Sequence, residues 1–259
     1  MNVLFVGDIV GECGREFLTK HLSRLKKEYL ADFTIVNGEN SAKGNGISPE
    51  SAKDIFNAGA DVISTGNHIW HKKEIYDYLE NNPYIIRPAN YPKQCVGRGY
   101  TLFDCGKYSI CVINLLGAVF MDPIDSPFET AINILEEIKN ETKYIIIDIH
   151  AEATSEKKAL GAFLDGKVSA VLGTHTHTQT ADEQILPFGT AYISDIGMTG
   201  AYQSILGIKT DIIVKKFVSR QPIHFEQAIG EAMLNAVIID IDENSGKAKK
   251  IERINFIGL

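Results

Sequence analysis

Residues able to hold a metal ion recur in this chain just after short apolar runs: Asp8, Glu39 with Asn40, Asn67 with His68, His150, and His175 with His177. Mixed imidazole, carboxylate and amide-oxygen donors suit iron, manganese or zinc better than calcium or a thiolate-preferring metal. His175-x-His177 is the sharpest local signal, because side chains at i and i+2 of an extended segment point to one side. The pair follows Gly173, where a tight backbone turn costs little, and its two imidazoles could serve one metal or two neighbouring ones. Taken singly, each residue has a structural explanation. Asp8 could cap the following helix, Asn67 could hold a left-handed turn after Gly66, and His150 could be a hydrogen-bonded core histidine. Independent turn chemistry has no reason to place such donors after five separate strands, so their conjunction points to one site.

The elements that must position these residues read as α/β. Short apolar runs end in small or polar residues and are followed by helical patterns, as in a sheet covered on both faces. Val3–Val6 is a strand, followed through Asp8-Ile-Val-Gly-Glu-Cys-Gly by Phe17, Leu18, His21, Leu22 and Leu25 at helical spacing. Asp32–Val36 is the second strand and Gly38–Gly46 its loop; Ser48 then caps a helix with Pro49 in its first turn. Asp61–Ser64 is a third strand. The runs Tyr100–Phe103 and Tyr108–Leu115 form a hairpin about an Asp-Cys-Gly-Lys turn. A helix from about Pro127 to Lys139 precedes the strand Tyr144–Ile149, and a helix near Glu156–Leu164 precedes Ala170–Leu172. Thr190–Ile193, Met233–Ile241 and Ile251–Phe256 read as further, antiparallel strands. In an open α/β sheet, ligands bind outside the carboxyl ends of the strands, which is where the donors fall.

Composition narrows the class. The 259 residues are 44% hydrophobic and 23% charged, with charges spread along the chain, so disorder is not expected. A net charge of −7 argues against broad nucleic-acid binding, which needs a basic patch, but is compatible with a small anionic substrate. Cys13, Cys95, Cys105 and Cys111 contain no C-x-x-C pair and read as free thiols of a reducing compartment. The N-terminus is a poor signal peptide, and no apolar run approaches the roughly 18 residues of a membrane span. The expectation is a soluble cytoplasmic protein of one domain, residues 1–259, with no linker or repeat.

Two metal-hydrolase patterns fail. A metallo-β-lactamase would continue H-x-H-x-D-H, but Thr178-Gln179-Thr180 follows here; an amidohydrolase would place its H-x-H after the first strand, where this chain has Asp8-Ile9-Val10. Gly7, Gly11 and Gly14 do not fit a dinucleotide fingerprint.

Gly7-Asp8, Gly38-Glu39-Asn40, Gly66-Asn67-His68, His150 and Gly173-Thr-His-Thr-His177, in this order, resemble the calcineurin-like metallophosphoesterases. Val10 stands where that family's D-x-H has its His, Glu39 replaces the bridging Asp, and Ile69 replaces the acid after G-N-H. With Val-Asn-Gly-Glu-Asn, Thr-Gly-Asn-His-Ile-Trp and Ser194-Asp-Ile-Gly-Met-Thr-Gly200, the chain is similar to the YmdB branch of that superfamily, from residue 1 to at least Gly207.

The resemblance implies a four-layer α/β/β/α sandwich of mixed sheets flanked by helices, and a two-metal site. Asp8, Glu39, Asn40 and His177 would hold one ion; Glu39 as bridge, Asn67, His150 and His175 would hold the other. Iron is favoured, with manganese or zinc as alternatives. Two ions about 3.5–4 Å apart activate a bridging water and clamp phosphoryl oxygens, and His68 would protonate the leaving alkoxide. The implied substrate is a 2′,3′- or 3′,5′-cyclic mononucleotide, and the family suggests a homo-oligomer. Rival readings on the same residues are a phosphomonoesterase or protein phosphatase, and a regulatory binding protein that keeps its metals without catalysis. His71 reads as a surface-loop residue, His21 as packing, and His224 has no motif. The Lys43–Gly46 loop could bring backbone N–H groups to a phosphate or serve as a flexible connection.

Overall fold

The computed structural model describes residues 1–258. The first strands are β1 (Asn2–Val6), β2 (Asp8–Ile9), β3 (Phe33–Asn37) and β4 (Val62–Ser64). A second group comprises β5 (Tyr100–Asp104), β6 (Ser109–Leu116), β7 (Tyr144–His150), β8 (Ala170–Thr174), β9 (Gln184–Ile185) and β10 (Ala191–Ile193). The chain then returns to the first group with β11 (Met198–Ala201), β12 (Ala232–Ile241) and β13 (Ala248–Gly258). One sheet has the order β2-β11-β12-β1-β3-β4, with β13 on β12; the other runs β5-β6-β7-β8-β10-β9.

Alternation along the strands explains how the sheets stack. On β1, Val3 and Phe5 enter an apolar layer shared with Ile110, Val112, Ile146 and Leu172 of the other sheet, while Leu4 and Val6 face the helices. The helices α1 (Gly11–Glu28) and α2 (Pro49–Ala58) cover that outer face through Leu18, Leu22 and Ile55. The short helix α3 (Tyr76–Asn81) follows β4, and α4 (Pro127–Glu137) and α5 (Thr154–Leu164) cover the second sheet through Ile134 and Leu160. A last helix, α6 (Thr210–Ser219), lies between β11 and β12. The layers are therefore α/β/β/α, with mixed sheets.

Local chemistry agrees with the sequence at the start of α2. The Ser51 N–H donates to Ser48 Oγ (3.2 Å), the Ser48 N–H donates back to Ser51 Oγ (2.9 Å), and Pro49 occupies the first turn.

One short strand is added and two local expectations change. Asp8 and Ile9 form β2, pairing parallel with Met198 and Thr199. Ala191–Ile193 pairs parallel with β8 and antiparallel only with β9, because the chain first runs back along the sheet edge as β9 and then turns into β10 between β9 and β8. Gly173 lies inside β8 and makes no turn; a Cβ there would collide with the Ser194 carbonyl, so the glycine permits close strand approach. The four cysteines are free, and no helix among the described residues is long and apolar enough to cross a membrane.

Candidate metal centre

The carboxyl ends of β1, β3 and β4 in one sheet meet those of β7 and β8 in the other, and the site forms along that seam. Strand periodicity decides which side chains enter it. Tyr144 and Ile146 of β7 face the layer between the sheets, so Asp148 and His150 share that face. The same rule places Asn37 beyond Phe33 and Ile35, Ser64 beyond Val62, and Thr174 beyond Leu172. The apolar layer thus ends in polar residues. Asp148 accepts hydrogen bonds there from Asn37 Nδ2 (2.9 Å), Ser64 Oγ (2.5 Å) and Thr174 Oγ1 (2.7 Å).

His150 is fully buried above this floor. Its Nδ1 lies 2.9 Å from Thr174 Oγ1. Because that hydroxyl donates to Asp148, it accepts from Nδ1–H and leaves Nε2 facing the site, where a cation would take the place of its proton. Around Nε2 stand Glu39 Oε1 at 3.1 Å, Asn67 Oδ1 at 3.1 Å and His175 Nδ1 at 3.0 Å. Four lone-pair atoms converge where protons on the two imidazoles can satisfy only some of the contacts, an arrangement suited to a cation. Glu39, His150 and His175 offer donor atoms all within 4.8 Å of one another. Gly66 makes this approach possible, since a Cβ there would strike Glu39 Oε2 and the His150 ring.

Asp8 lies on the other side of His150. Its Oδ1 is buried without a hydrogen-bond partner, 3.8 Å from His150 Nδ1 and 3.9 Å from His177 Nε2. A buried carboxylate oxygen without a proton donor is costly unless a cation meets it, which fits a metal ligand. Asn40 adjoins this group with its amide nitrogen directed to Glu39 Oε1 (2.9 Å) and His177 Nε2 (3.4 Å). Its oxygen lies 2.9 Å from His68 Nδ1. Oxygen ligation by Asn40 would require the amide to turn over, exchanging two atoms that differ little in shape.

Both H-x-H residues lie beyond the end of β8, at φ 97° for His175 and 62° for His177. They converge through left-handed turns and not through the pleat expected of an extended segment. His177 Nδ1 is 3.3 Å from the Leu206 carbonyl, and His175 Nε2 is 3.1 Å from Glu152 Oε2. His68 Nδ1 also lies 3.2 Å from Glu39 Oε1, while its backbone N–H donates to Glu39 Oε2 (3.2 Å).

Burial works to lift the Glu39 carboxyl, but His150 and His68 outweigh it and hold the group well below its usual range. Burial pushes Asp8 well above that range, opposed by His150 and reinforced by Glu39. Burial would lower His150, yet Glu39 and Asp8 raise it to about 9. His175 falls to about 3 through burial and the neighbouring His150 charge, and His177 is lowered mainly by burial. Without a cation, one imidazolium at His150 balances the acidic groups.

A cavity of about 350 Å³ opens over the cluster, within the range of small-molecule sites. Glu152, Leu206, Phe225 and Gln227 contribute to its wall and were not among the expected site residues. Within the Lys43–Gly46 loop, Asn45 reaches the cavity. His71 is exposed with its ring 4.7 Å from that of His68, while His21 packs against Phe17 and Phe256.

The YmdB-like protein family model matches residues 4–254. The chain belongs to that family. A 2′,3′-cyclic-nucleotide 2′-phosphodiesterase of Bacillus subtilis (strain 168) is 48% identical over 254 residues, covering 98% of this chain and 96% of that protein. A solved structure described as a novel phosphatase from Mycoplasma pneumoniae has 34% identity and a TM-score of 0.93, covering 99% of this chain and 93% of the other. A calcineurin-like phosphoesterase, YfkN of Bacillus subtilis, shares the fold alone at 10% identity and a TM-score of 0.59, covering 99% of this chain and 90% of the other. This YmdB-like chain is a phosphoester hydrolase with the calcineurin-like fold.

Proposed function

We propose that the chain is a metal-dependent phosphodiesterase acting on small cyclic nucleotides, 2′,3′- and/or 3′,5′-cyclic mononucleotides. Asp8, Glu39, Asn40 and His177 would hold one ion and Asn67, His150 and His175 the second, with Glu39 between them. The observation that carries this reading is the convergence of Glu39, Asn67 and His175 donor atoms on His150 Nε2. The ions, iron by family resemblance or manganese or zinc by donor type, would supply Lewis acidity toward the phosphoryl group and toward water.

The chain's own residues provide the rest. Asn40 Oδ1 lies beside His68 Nδ1; once the amide turns that oxygen toward an ion, its nitrogen donates to Nδ1 and takes the orienting place of the acid missing at Ile69. His68 Nε2 is thereby left to give a proton to the leaving oxygen as its bond to phosphorus breaks. Ring opening consumes one water and leaves a phosphomonoester and a free hydroxyl. The name of the 48%-identical Bacillus relative supports the 2′,3′-cyclic substrate, and the cavity volume supports a ligand of mononucleotide size. Free cysteines support a cytoplasmic location, the apolar layer shared by both sheets supports a single domain over residues 1–259, and a homo-oligomer follows the family resemblance.

Turnover of bis-p-nitrophenyl phosphate and of 2′,3′- and 3′,5′-cyclic nucleotides should exceed that of p-nitrophenyl phosphate. A strong monoester preference would replace this reading with a phosphomonoesterase.

A further inference from the structure

Lys157 of α5 is a buried lysine, 1% exposed, and its partner Asp195 is equally enclosed. Lys157 Nζ donates to Asp195 Oδ2 at 2.8 Å. The same oxygen accepts the Thr176 N–H at 2.9 Å and the Thr176 hydroxyl at 2.7 Å. Thr176 is the residue between His175 and His177, both in the left-handed region, where a non-glycine residue costs of order 1–3 kcal/mol unless its surroundings hold it. Asp195 Oδ1 accepts the Gly197 N–H at 2.8 Å, and the Gly197 carbonyl accepts the Asp8 N–H at 3.1 Å. One carboxylate therefore grips the backbone of the H-x-H turn and reaches, through Gly197, the strand that carries Asp8. Gly173 leaves room for this device, since a Cβ there would press on the Lys157 stem as well as the Ser194 carbonyl.

We propose that Asp195, anchored by Lys157, is a positioning residue that sets the spacing of His175 and His177 and ties both to Asp8. This rests on the metal-centre reading above. Breaking a buried ion pair by removing one member strongly destabilises, whereas replacing both members is often tolerated. The informative variants therefore change both positions or only Thr176. K157M/D195N keeps an acceptor for Thr176 without charge, and K157M/D195L removes it.

Mn²⁺ is titrated calorimetrically into metal-stripped wild type, both double variants, Thr176→Val and Thr176→Ser, with thermal unfolding checking the fold. Loss of supporting interactions around metal ligands costs about 10–100-fold in affinity. That loss is expected in K157M/D195L, with a smaller loss in K157M/D195N, whose single amide oxygen can serve Thr176 or Gly197 but not both; Thr176→Val should weaken binding several-fold and Thr176→Ser restore it. If K157M/D195L fails to fold, the Thr176 pair decides. Folded variants that all bind like wild type, or equal affinity in Thr176→Val and Thr176→Ser, would overturn the proposal alone. Wild-type protein that binds no Mn²⁺ would overturn the metal-centre reading and this proposal together.

Discussion

The amide oxygen of Asn40 sits 2.9 Å from Nδ1 of His68. The residues are far apart in sequence, yet Asn40 follows β3 and His68 follows β4, neighbouring parallel strands with Asn37 opposite Ser64. His68 is thus oriented from an adjacent loop, although Ile69 offers no carboxylate. Replacing His68 by Ala removes the proton donor while leaving the seven proposed metal ligands in place. Turnover should fall about 10²–10⁴-fold with metal content unchanged; unchanged hydrolysis in a metal-loaded His68→Ala protein would remove the general-acid role.

Metal uptake should release protons. In the metal-free protein His150 is raised to about 9, so it is charged near neutrality, whereas a ligating imidazole must be neutral. Its folded-state pKa lies above the unfolded value of about 6.5, so its contribution to metal-free stability is complete below about 6.5 and is lost as pH rises through about 9. Metal binding follows the opposite course, strengthening as pH rises toward about 9. His175, lowered to about 3, is already neutral and releases none there. Calorimetry at about pH 7 in buffers of different ionisation enthalpy should register at least one proton released per chain as the site that includes His150 fills; no buffer dependence would refute this linkage.

Gly66→Ala tests the seam directly. The added methyl must displace Glu39 or His150, which face each other across that point. A fall of about 10–100-fold in metal affinity is expected with the fold retained, since displaced ligands disturb binding before they unfold the sheets. Wild-type metal affinity in a folded Gly66→Ala protein would show that the two ligands need not approach there.

The donor residues were legible because each follows an apolar run, and the strand ends are where an α/β sheet builds its sites. Their support was less legible. The Lys157–Asp195 pair joins a helix to the connection between β10 and β11, and no local spacing links them. Asp148 offered a signal: it stands two residues before His150, and strand periodicity puts both on one face. The H-x-H pair was found for a reason that the backbone replaces, since left-handed turns aim its rings. β2 has only two residues and α6 leaves Val214, Phe217 and Val218 exposed, so neither carries the periodicity that marks a longer or better-buried element.

Metal stoichiometry measured on wild-type protein and His150→Ala tests the central claim most directly. Two metal ions per wild-type chain are expected, with occupancy lost when His150 is removed. Wild-type protein without tightly held metal, or His150→Ala protein retaining both ions at unchanged affinity, would contradict a dinuclear centre at this seam.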